Sequence, residues 1–427
     1  MILGIYRVLT IILSPFIDIF LLLRLYFKKE EKNRFLERLG FPGAKRPDGD
    51  LIWFQCASVG EGNSIMSLVD QILKLYNNKV HILITSGTVS SANVICKKIK
   101  NKENIIHQYT PVDKYFTVKR FLKFWKPKVL ITVESEIWPN LITLSHKFCE
   151  KVMIVNAKMS EKSFSRWKKF KNLKETIFDS IDICYPQSEE DQYRFINLGI
   201  QNTIFLGNLK FDIPKLEIHE DYLKVLQNSI HNRKVLFCAS LHLEEIEVLK
   251  NICNNLKSKY RDILFIIALR HPNDNTKVCE YFGKDGSVIM LKSKSEQITD
   301  GTNFYIYDEI GGMGTLFELC DIVLMCGSLV EDIGGHTPIE AAKQNCAILT
   351  GPYMKNNFSL YRELEKSDAC IICKNTKKIS EEISNSVSEL FEDIEKQNRI
   401  RDNAKAVCER FSNVAKNVAL NIIENLD

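Results

Sequence analysis

The sequence predicts two doubly wound α/β domains in tandem, behind an apolar N-terminal helix. Three observations predict it. At 427 residues the chain is too long for one ordinary hydrophobic core. Short runs of Val, Ile, Leu and Phe alternate with helical stretches, as fully buried parallel strands joined by helices require. The alternation breaks around residues 212–221, where Pro214 sits among mixed charges, and then restarts. A composition of 45% hydrophobic and 26% charged residues is that of a globular protein. The net charge of +5 is too mild to imply a nucleic-acid partner. Among the 13 cysteines, Cys184, Cys238, Cys326 and Cys346 lie in apolar runs and read as reduced, buried thiols. Cys370 and Cys373 have no second pair to complete a zinc site, and a buried strand is the better reading there.

Residues 2–23 are mostly apolar, interrupted by Arg7 and Asp18. The charge-free core, 8–17, is shorter than the roughly 20 residues a bilayer span needs. At 100° per residue, Arg7, Thr10, Ser14 and Asp18 fall on one stripe. Such a helix is expected to lie in a membrane interface or to pack its polar edge against protein, with Pro15 as a kink. Residues 24–38 then carry six basic residues against three acids, which favours a cytoplasmic flank facing anionic lipid. No small-residue cleavage site follows. The expected division is an anchor helix and basic flank over 1–40, a first domain over 41–215, and a second over 216–427 that includes a charged C-terminal helical stretch from about Ile379, expected to pack on the surface or to cross back to the first domain.

Strands are expected at 51–57, 80–86, 104–109, 128–133, 151–156, 181–185 and 203–206 in the first domain. In the second they are expected at 234–239, 263–269, 287–291, 303–307, 322–326, 346–349 and 369–373. Ligands bind beyond the carboxyl ends of such strands, so motifs that directly follow strands are the candidates. After the first strand comes Ser58-Val59-Gly60-Glu61-Gly62, which presents Glu61 near a helix start. A carboxylate there can take a proton from a substrate hydroxyl, or simply serve the helix terminus. Glu134 and Glu136 follow another strand beside Trp138. They share a face only if the backbone stays extended; otherwise Pro139 starts a helix and the acids cap it. Residues 158–174 hold seven Lys or Arg and one acid with Trp167 and Phe170 interleaved, a solvated face or a surface for phosphate. Lys210, after Gly207-Asn208-Leu209, places an amine at the end of the last strand before the linker.

In the second domain Ser240-Leu241-His242 ends the first strand and Arg270-His271-Pro272 the second. Both put polar or cationic groups at one sheet edge, as phosphate recognition needs. Cys326-Gly327-Ser328 then leads to Gly334-Gly335-His336-Thr337-Pro338-Ile339-Glu340. A glycine pair turns the chain, a helix start offers N–H groups to phosphate, and Glu340 can accept from ribose hydroxyls. No G-x-G-x-x-G follows the first strand and no G-x-x-x-x-G-K-[ST] occurs, which disfavours a nicotinamide dehydrogenase and a P-loop NTPase.

Along nearly its whole length the chain resembles the Kdo (3-deoxy-D-manno-octulosonic acid) transferases, glycosyltransferase family 30. The resemblance is carried by Ser58–Glu61, Pro111-Val112-Asp113, Glu134–Asn140, Asn156-Ala157-Lys158, Gly207–Lys210, Arg270–Pro272, Met313-Gly314, Gly327–Val330, Gly334–Ala342 and Asn357-Phe358. It implies a GT-B fold, two Rossmann-like domains facing a cleft, with donor CMP-Kdo, a lipid A precursor (lipid IVA) as acceptor, and inversion at the anomeric carbon. By motif position Glu61 matches the general base. Arg270, Met313 and Glu340 match the CMP side, with Glu340 on the ribose, while Lys210 and His242 match positions near the donor. Ser240 and Gly335 are further donor-side candidates, and Glu134, Glu136 and Lys210 are expected on the acceptor side. Gln55, Thr315, Thr337 and the run Leu243-Glu244-Glu245 depart from the family pattern. No metal or cofactor is expected. The expected setting is the cytoplasmic face of the inner membrane. A sugar-nucleotide epimerase of similar plan, or a membrane-attached binding protein with a degenerate site, are the alternatives.

Overall fold

The computed structural model describes residues 2–231 and 233–426. The chain forms two compact units, Met1–Ile213 with Asn413–Asp427, and Pro214–Ser412.

The first unit is built on six parallel strands: β1 (Leu51–Gln55), β2 (His81–Ser86), β3 (Ile105–Tyr109), β4 (Val129–Val133), β5 (Lys151–Ala157) and β6 (Ile183–Pro186). Their order is β3-β2-β1-β4-β5-β6. The helices in chain order are α1 (Ile2–Ile12), α2 (Ser14–Tyr26), α3 (Phe35–Arg38), α4 (Val59–Leu75), α5 (Val89–Ile99), α6 (Tyr115–Trp125), α7 (Pro139–Phe148), α8 (Glu161–Lys169), α9 (Lys171–Phe178) and α10 (Glu189–Leu198). All five residues of β1 and of β4 are buried, which is why both read as unbroken apolar runs. The order reverses between β1 and β4, so the loops beyond their carboxyl ends flank the switch-point crevice. The expected strand at 203–206 does not form. Thr203 makes a single bridge to Cys184, and its carbonyl accepts the Gln192 amide at 3.2 Å instead of extending a ladder.

The N-terminal helices are tied to this unit through their polar stripe. Tyr6 donates to Asp113 Oδ2 at 2.8 Å, and Arg7 reaches Asn140 Oδ1 and Thr143 Oγ1 on α7. Lys114 donates to Ser14 at 3.0 Å and to Asp18 at 2.6 Å. The polar edge therefore packs against protein, and Ile5, Val8, Leu9, Ile12, Phe16, Ile19, Phe20 and Leu23 are left exposed. The pair bends by 57° at Leu13, between α1 and α2, and Pro15 lies in the first turn of α2. Among the described residues no single helix is long and apolar enough to cross a membrane; this bent pair qualifies by length and composition.

The second unit holds α11 (Glu220–Ile230), β7 (Val235–Leu241), α12 (Ile246–Lys259), β8 (Leu264–Leu269), α13 (Asn275–Gly283), β9 (Ile289–Leu291), β10 (Phe304–Tyr307), α14 (Met313–Leu319), β11 (Ile322–Met325), α15 (Ile339–Lys343), β12 (Ala347–Thr350), α16 (Phe358–Lys366), β13 (Ile371–Ile372), α17 (Ile379–Glu392) and α18 (Ile394–Arg410). Its sheet runs β13-β12-β11-β7-β8-β10-β9, all parallel, with the switch between β7 and β11. Cys370 and Cys373 are buried, free thiols beside β13.

The last helix, α19 (Val414–Glu424), belongs to the first unit, although the expected division kept it within 216–427 while leaving open that it crosses back. Val414, Ala415, Val418, Ala419, Ile422 and Leu426 are buried in the core of the first unit, with residues of β1, β2 and α4. The Asp212 carboxylate accepts the N–H groups of Asn413 and Ala415, and Tyr185 donates to Asn421 at 2.8 Å. The apolar stripe of α19 thus completes one face of the first sheet.

Candidate active site

In the first unit the site begins at the carboxyl end of β1. Ser58 is the N-cap of α4 and accepts the Glu61 N–H at 3.3 Å. The Glu61 carboxylate turns back on the same loop: Oε2 accepts from the Ala57 N–H at 2.6 Å and Oε1 from the Ser58 hydroxyl at 3.1 Å. Glu61 is buried, and that desolvation is the chief reason its carboxyl is pushed up to about 7; the charges of Glu136 and Glu134 add to it, and the hydrogen bonds from Ala57 and Ser58 oppose it. A carboxyl balanced between its two forms near neutrality is suited to accepting a proton. The side chain serves the helix start through these hydrogen bonds while its carboxyl stays raised.

Glu134 and Glu136 do not share a face. Glu134 sits at φ +55°, off the extended backbone the shared face needed. Its carboxylate pairs with Lys210 at 2.8 Å. Glu136 turns the other way: its Oε2 accepts from Gln55 at 3.3 Å and from the Trp138 indole at 2.5 Å. Neither acid caps α7. Pro139 does open that helix, but its N–H groups go to Asp113, whose carboxylate accepts from Asn140 at 3.1 Å and Leu141 at 2.7 Å. Lys210 is placed by its own turn: Asn208 Oδ1 accepts the Lys210 N–H and Asn156 Oδ1 the Leu209 N–H, each at 3.0 Å. Gly207 opens that turn at φ +114°, where a side chain would also strike Val414. Lys158 is close enough to Glu134 and Lys210 to feel both, and burial lowers its pKa.

Gln55 and Thr132 face each other at the ends of β1 and β4. Gln55 Oε1, Thr132 Oγ1 and Asn156 Nδ2 are buried without a protein partner. Buried polar atoms are normally satisfied, so these three stand out as exceptions near the carboxyl ends of three neighbouring strands, β1, β4 and β5. Of the three, Gln55 stood out in the sequence as a departure from a family motif and Asn156 as part of one; nothing local marks Thr132.

In the second unit the site forms beyond β7 and β11. Ser240 adopts φ +62°, where β7 loses register with β8, and turns the chain toward His242. His242 and His336 bring their Nε2 atoms to 2.9 Å, with rings stacked at 5.1 Å; His271 meets His242 edge-on at 5.8 Å. Burial lowers both pKa values, with the Arg270 charge adding to it and His242 also weighing on His336, which is held down to about 4. At neutral pH the pair is uncharged, and one ring donates to the other. Glu245, in the run where Leu243 departs from the family pattern, ties the two loops together. Its buried carboxylate accepts from the N–H groups of Gly327 at 2.7 Å, Leu329 at 2.9 Å and His242 at 3.3 Å. Gly327 N–H is therefore committed to protein. Gly335, at φ +79°, sits where a Cβ would meet Met354 at 2.8 Å, and donates to the Gly327 carbonyl. Met313 opens α14 after the left-handed Gly312, and Glu340 lies in the first turn of α15. Arg270 is exposed at the end of β8. The candidates thus gather on the carboxyl edges of two sheets, Glu61, Glu134, Glu136 and Lys210 on one, Ser240, His242, Arg270, Met313, Gly335 and Glu340 on the other. Among the described residues no group of three or more His, Cys, Asp or Glu is arranged to hold a metal.

Residues 33–213 match the family model described as 3-deoxy-D-manno-octulosonic-acid transferase (kdotransferase). The chain is 34% identical over 387 residues to the 3-deoxy-D-manno-octulosonic acid transferase of Rickettsia bellii, covering 91% of this chain and 90% of that one. The chain belongs to the Kdo transferase family. The Haemophilus influenzae transferase is 29% identical, with 84% of each chain covered. This Kdo transferase is accordingly a glycosyltransferase, and its fold is GT-B. A glycosyltransferase structure from Rickettsia africae superposes with a TM-score of 0.62 at 13% identity, covering 89% of this chain and 99% of that chain. A UDP-GlcNAc 2-epimerase from Neisseria meningitidis gives 0.58 at 13% identity, covering 88% of this chain and all of that one. At such identities the likeness is one of fold, and the epimerase shares it as well as the transferase.

Proposed function

We propose that the chain moves Kdo from CMP-Kdo to a lipid A precursor by a single inverting displacement, with Glu61 as the general base. The observation that carries this reading is the Glu61 carboxyl, raised to about 7 at the switch point of the first sheet. Ionised Glu61 takes the proton of the acceptor hydroxyl while its oxygen bonds to the anomeric carbon. The bond from that carbon to the CMP phosphate breaks on the opposite face, and CMP leaves with the electron pair. Positive charge develops on the sugar as the bond to CMP lengthens. Arg270 and the His242–His336 pair stand on the donor side, where cationic and N–H groups stabilise the leaving phosphate. Ser240, Met313 and Gly335 shape that side, and Glu340 accepts from the ribose. Glu136, held by Gln55 and Trp138 on one oxygen, keeps the other for an acceptor hydroxyl. The exposed apolar face of α1 and α2 lies in the cytoplasmic surface of the inner membrane, where a lipid acceptor is found.

Incubating the protein with CMP-Kdo and a lipid A precursor, followed by mass spectrometry of the lipid, tests this. A lipid heavier by one or more Kdo residues, with stoichiometric CMP, is expected. Release of CMP with no lipid product would reduce the reading to donor hydrolysis, and interconversion of free sugar nucleotides would move it to an epimerase.

A further inference from the structure

Beside the N-terminal helices the first unit contains a pocket of about 380 Å³ that none of the candidate active-site residues lines. Its walls come from α1 and α2, from the segment after α3, and from the start of α6. Ile11, Phe41 and Phe116 line it with apolar surface, and Ser14, Lys114 and Arg120 with polar groups. We propose that this pocket takes the phosphate headgroup of an anionic phospholipid, with the acyl chains running along the exposed face of α1 and α2. The inference rests on the reading that this face meets a bilayer.

Three features fit that ligand. The first is continuity. Ile11, Phe41 and Phe116 are exposed and adjoin the apolar face of α1 and α2, so a lipid seated here keeps its chains among apolar side chains. The second is charge. The Arg120 guanidinium lies over the Phe41 ring at 4.1 Å and donates to the Leu39 carbonyl rather than to a carboxylate. Stacked and half-satisfied, it keeps further N–H donors for a phosphate. Lys119 and Arg7 flank the Tyr115 ring at 5.5 and 5.2 Å and add to the positive field. The third is the counterion. Lys114 is buried, and its ammonium is held by Ser14 and by Asp18, whose side chain is 44% exposed. Asp18 occupies the pocket wall where an anionic oxygen would otherwise sit. The other nearby acid, Asp113, is buried and fully engaged by Tyr6, Asn140 and Leu141. A phosphate that displaced Asp18 from Lys114 would meet two cations at once, and headgroup pockets of this kind favour anionic over zwitterionic lipid.

Co-sedimentation of the full-length protein with two kinds of vesicle tests the proposal, one of phosphatidylcholine alone and one an equal mixture of phosphatidylcholine and phosphatidylglycerol. Wild type should bind the anionic vesicles more tightly. Arg120→Ala should weaken that binding about fivefold and leave binding to neutral vesicles unchanged. Asp18→Asn, which removes the competing carboxylate, should strengthen it. Lys97→Ala, a charge control on exposed α5 surface, should have less than half the effect of Arg120→Ala. Thermal unfolding of each variant checks that the fold is kept. Binding to neither vesicle would overturn the membrane reading itself. Equal binding to both vesicles, or equal effects of Arg120→Ala and Lys97→Ala, would overturn the pocket alone. So would a rise in acceptor KM for Arg120→Ala with vesicle binding unchanged, since the pocket would then hold the acceptor.

Discussion

The Glu61 carboxyl accepts the Ala57 N–H and feels the charges of Glu136 and Glu134. Its proposed role as base gives a pH dependence of definite sign. The group must be ionised to accept a proton, so transfer should rise with pH through about 7 and level off above it. Glu61→Gln should lose at least about a hundredfold in kcat and keep its affinity for CMP, measured by calorimetry. Stability moves the opposite way. A carboxyl whose folded pKa lies above its unfolded value costs stability once it ionises, so the wild-type unfolding temperature should fall between pH 5 and 8. The same scan of Glu61→Gln should be flatter. Lys210 tests the electrostatics without touching the base. Its ammonium neutralises Glu134 at 2.8 Å, and Lys210→Ala leaves that charge uncompensated beside Glu61. The midpoint of the pH–rate profile should then move to higher pH; a downward shift would show that Glu134 does not act on Glu61.

At the scale of elements, the join between α1, α6 and α7 depends on Asp113. One carboxylate starts α7 through two N–H groups and holds α1 through Tyr6. Asp113→Ala should cost about 1–2 kcal/mol from the lost cap alone, and should raise hydrogen exchange in α1 before it does so in β1 or β4. Nothing in the local sequence showed this residue as a cap, because it lies a strand and a helix upstream of the terminus it serves. The contrast with Glu61 is instructive. Ser58 and Glu61 stand three apart at a strand-to-helix turn, so Glu61's place at a helix start was legible locally, though its bonds to Ser58 were not. The parallel strands were legible for a similar reason, since fully buried strands must be apolar throughout. The separation of Glu134 from Glu136 was not, since it turns on one left-handed residue that spacing does not reveal. The loop clamp of Glu245 was hidden as well: its partners Gly327 and Leu329 lie on another strand end, and only the sheet order brings them together. The polar stripe Arg7, Ser14, Asp18 was visible at helical spacing, but only Asn140, Thr143 and Lys114 decide that it faces protein.

For the whole molecule the division of the chain has a consequence that sequence order conceals. The first unit is closed by a helix that follows the entire second unit, so its core is incomplete until residues 413–427 are made. Val414, Val418, Ile422 and Leu426 are buried there. At roughly 1.5–3 kcal/mol for each such side chain, their loss removes about 6–12 kcal/mol, comparable with the roughly 5–15 kcal/mol that holds a domain folded. Removing residues 413–427 should therefore unfold the first unit, where Glu61 lies, while the second keeps its own core of Phe265, Leu324, Ile383 and Ile400. A fragment covering 214–412 should fold alone, with a cooperative thermal transition and measurable affinity for CMP. A fragment covering 1–213 should bind a hydrophobic dye and exchange its β1 and β4 amides rapidly. Adding a synthetic peptide of residues 413–427 should restore protection in those strands, because Asp212 and the face of α4 that receive it belong to the fragment itself. A native-like 1–213 fragment without the peptide would show that α19 only covers a core already sufficient on its own.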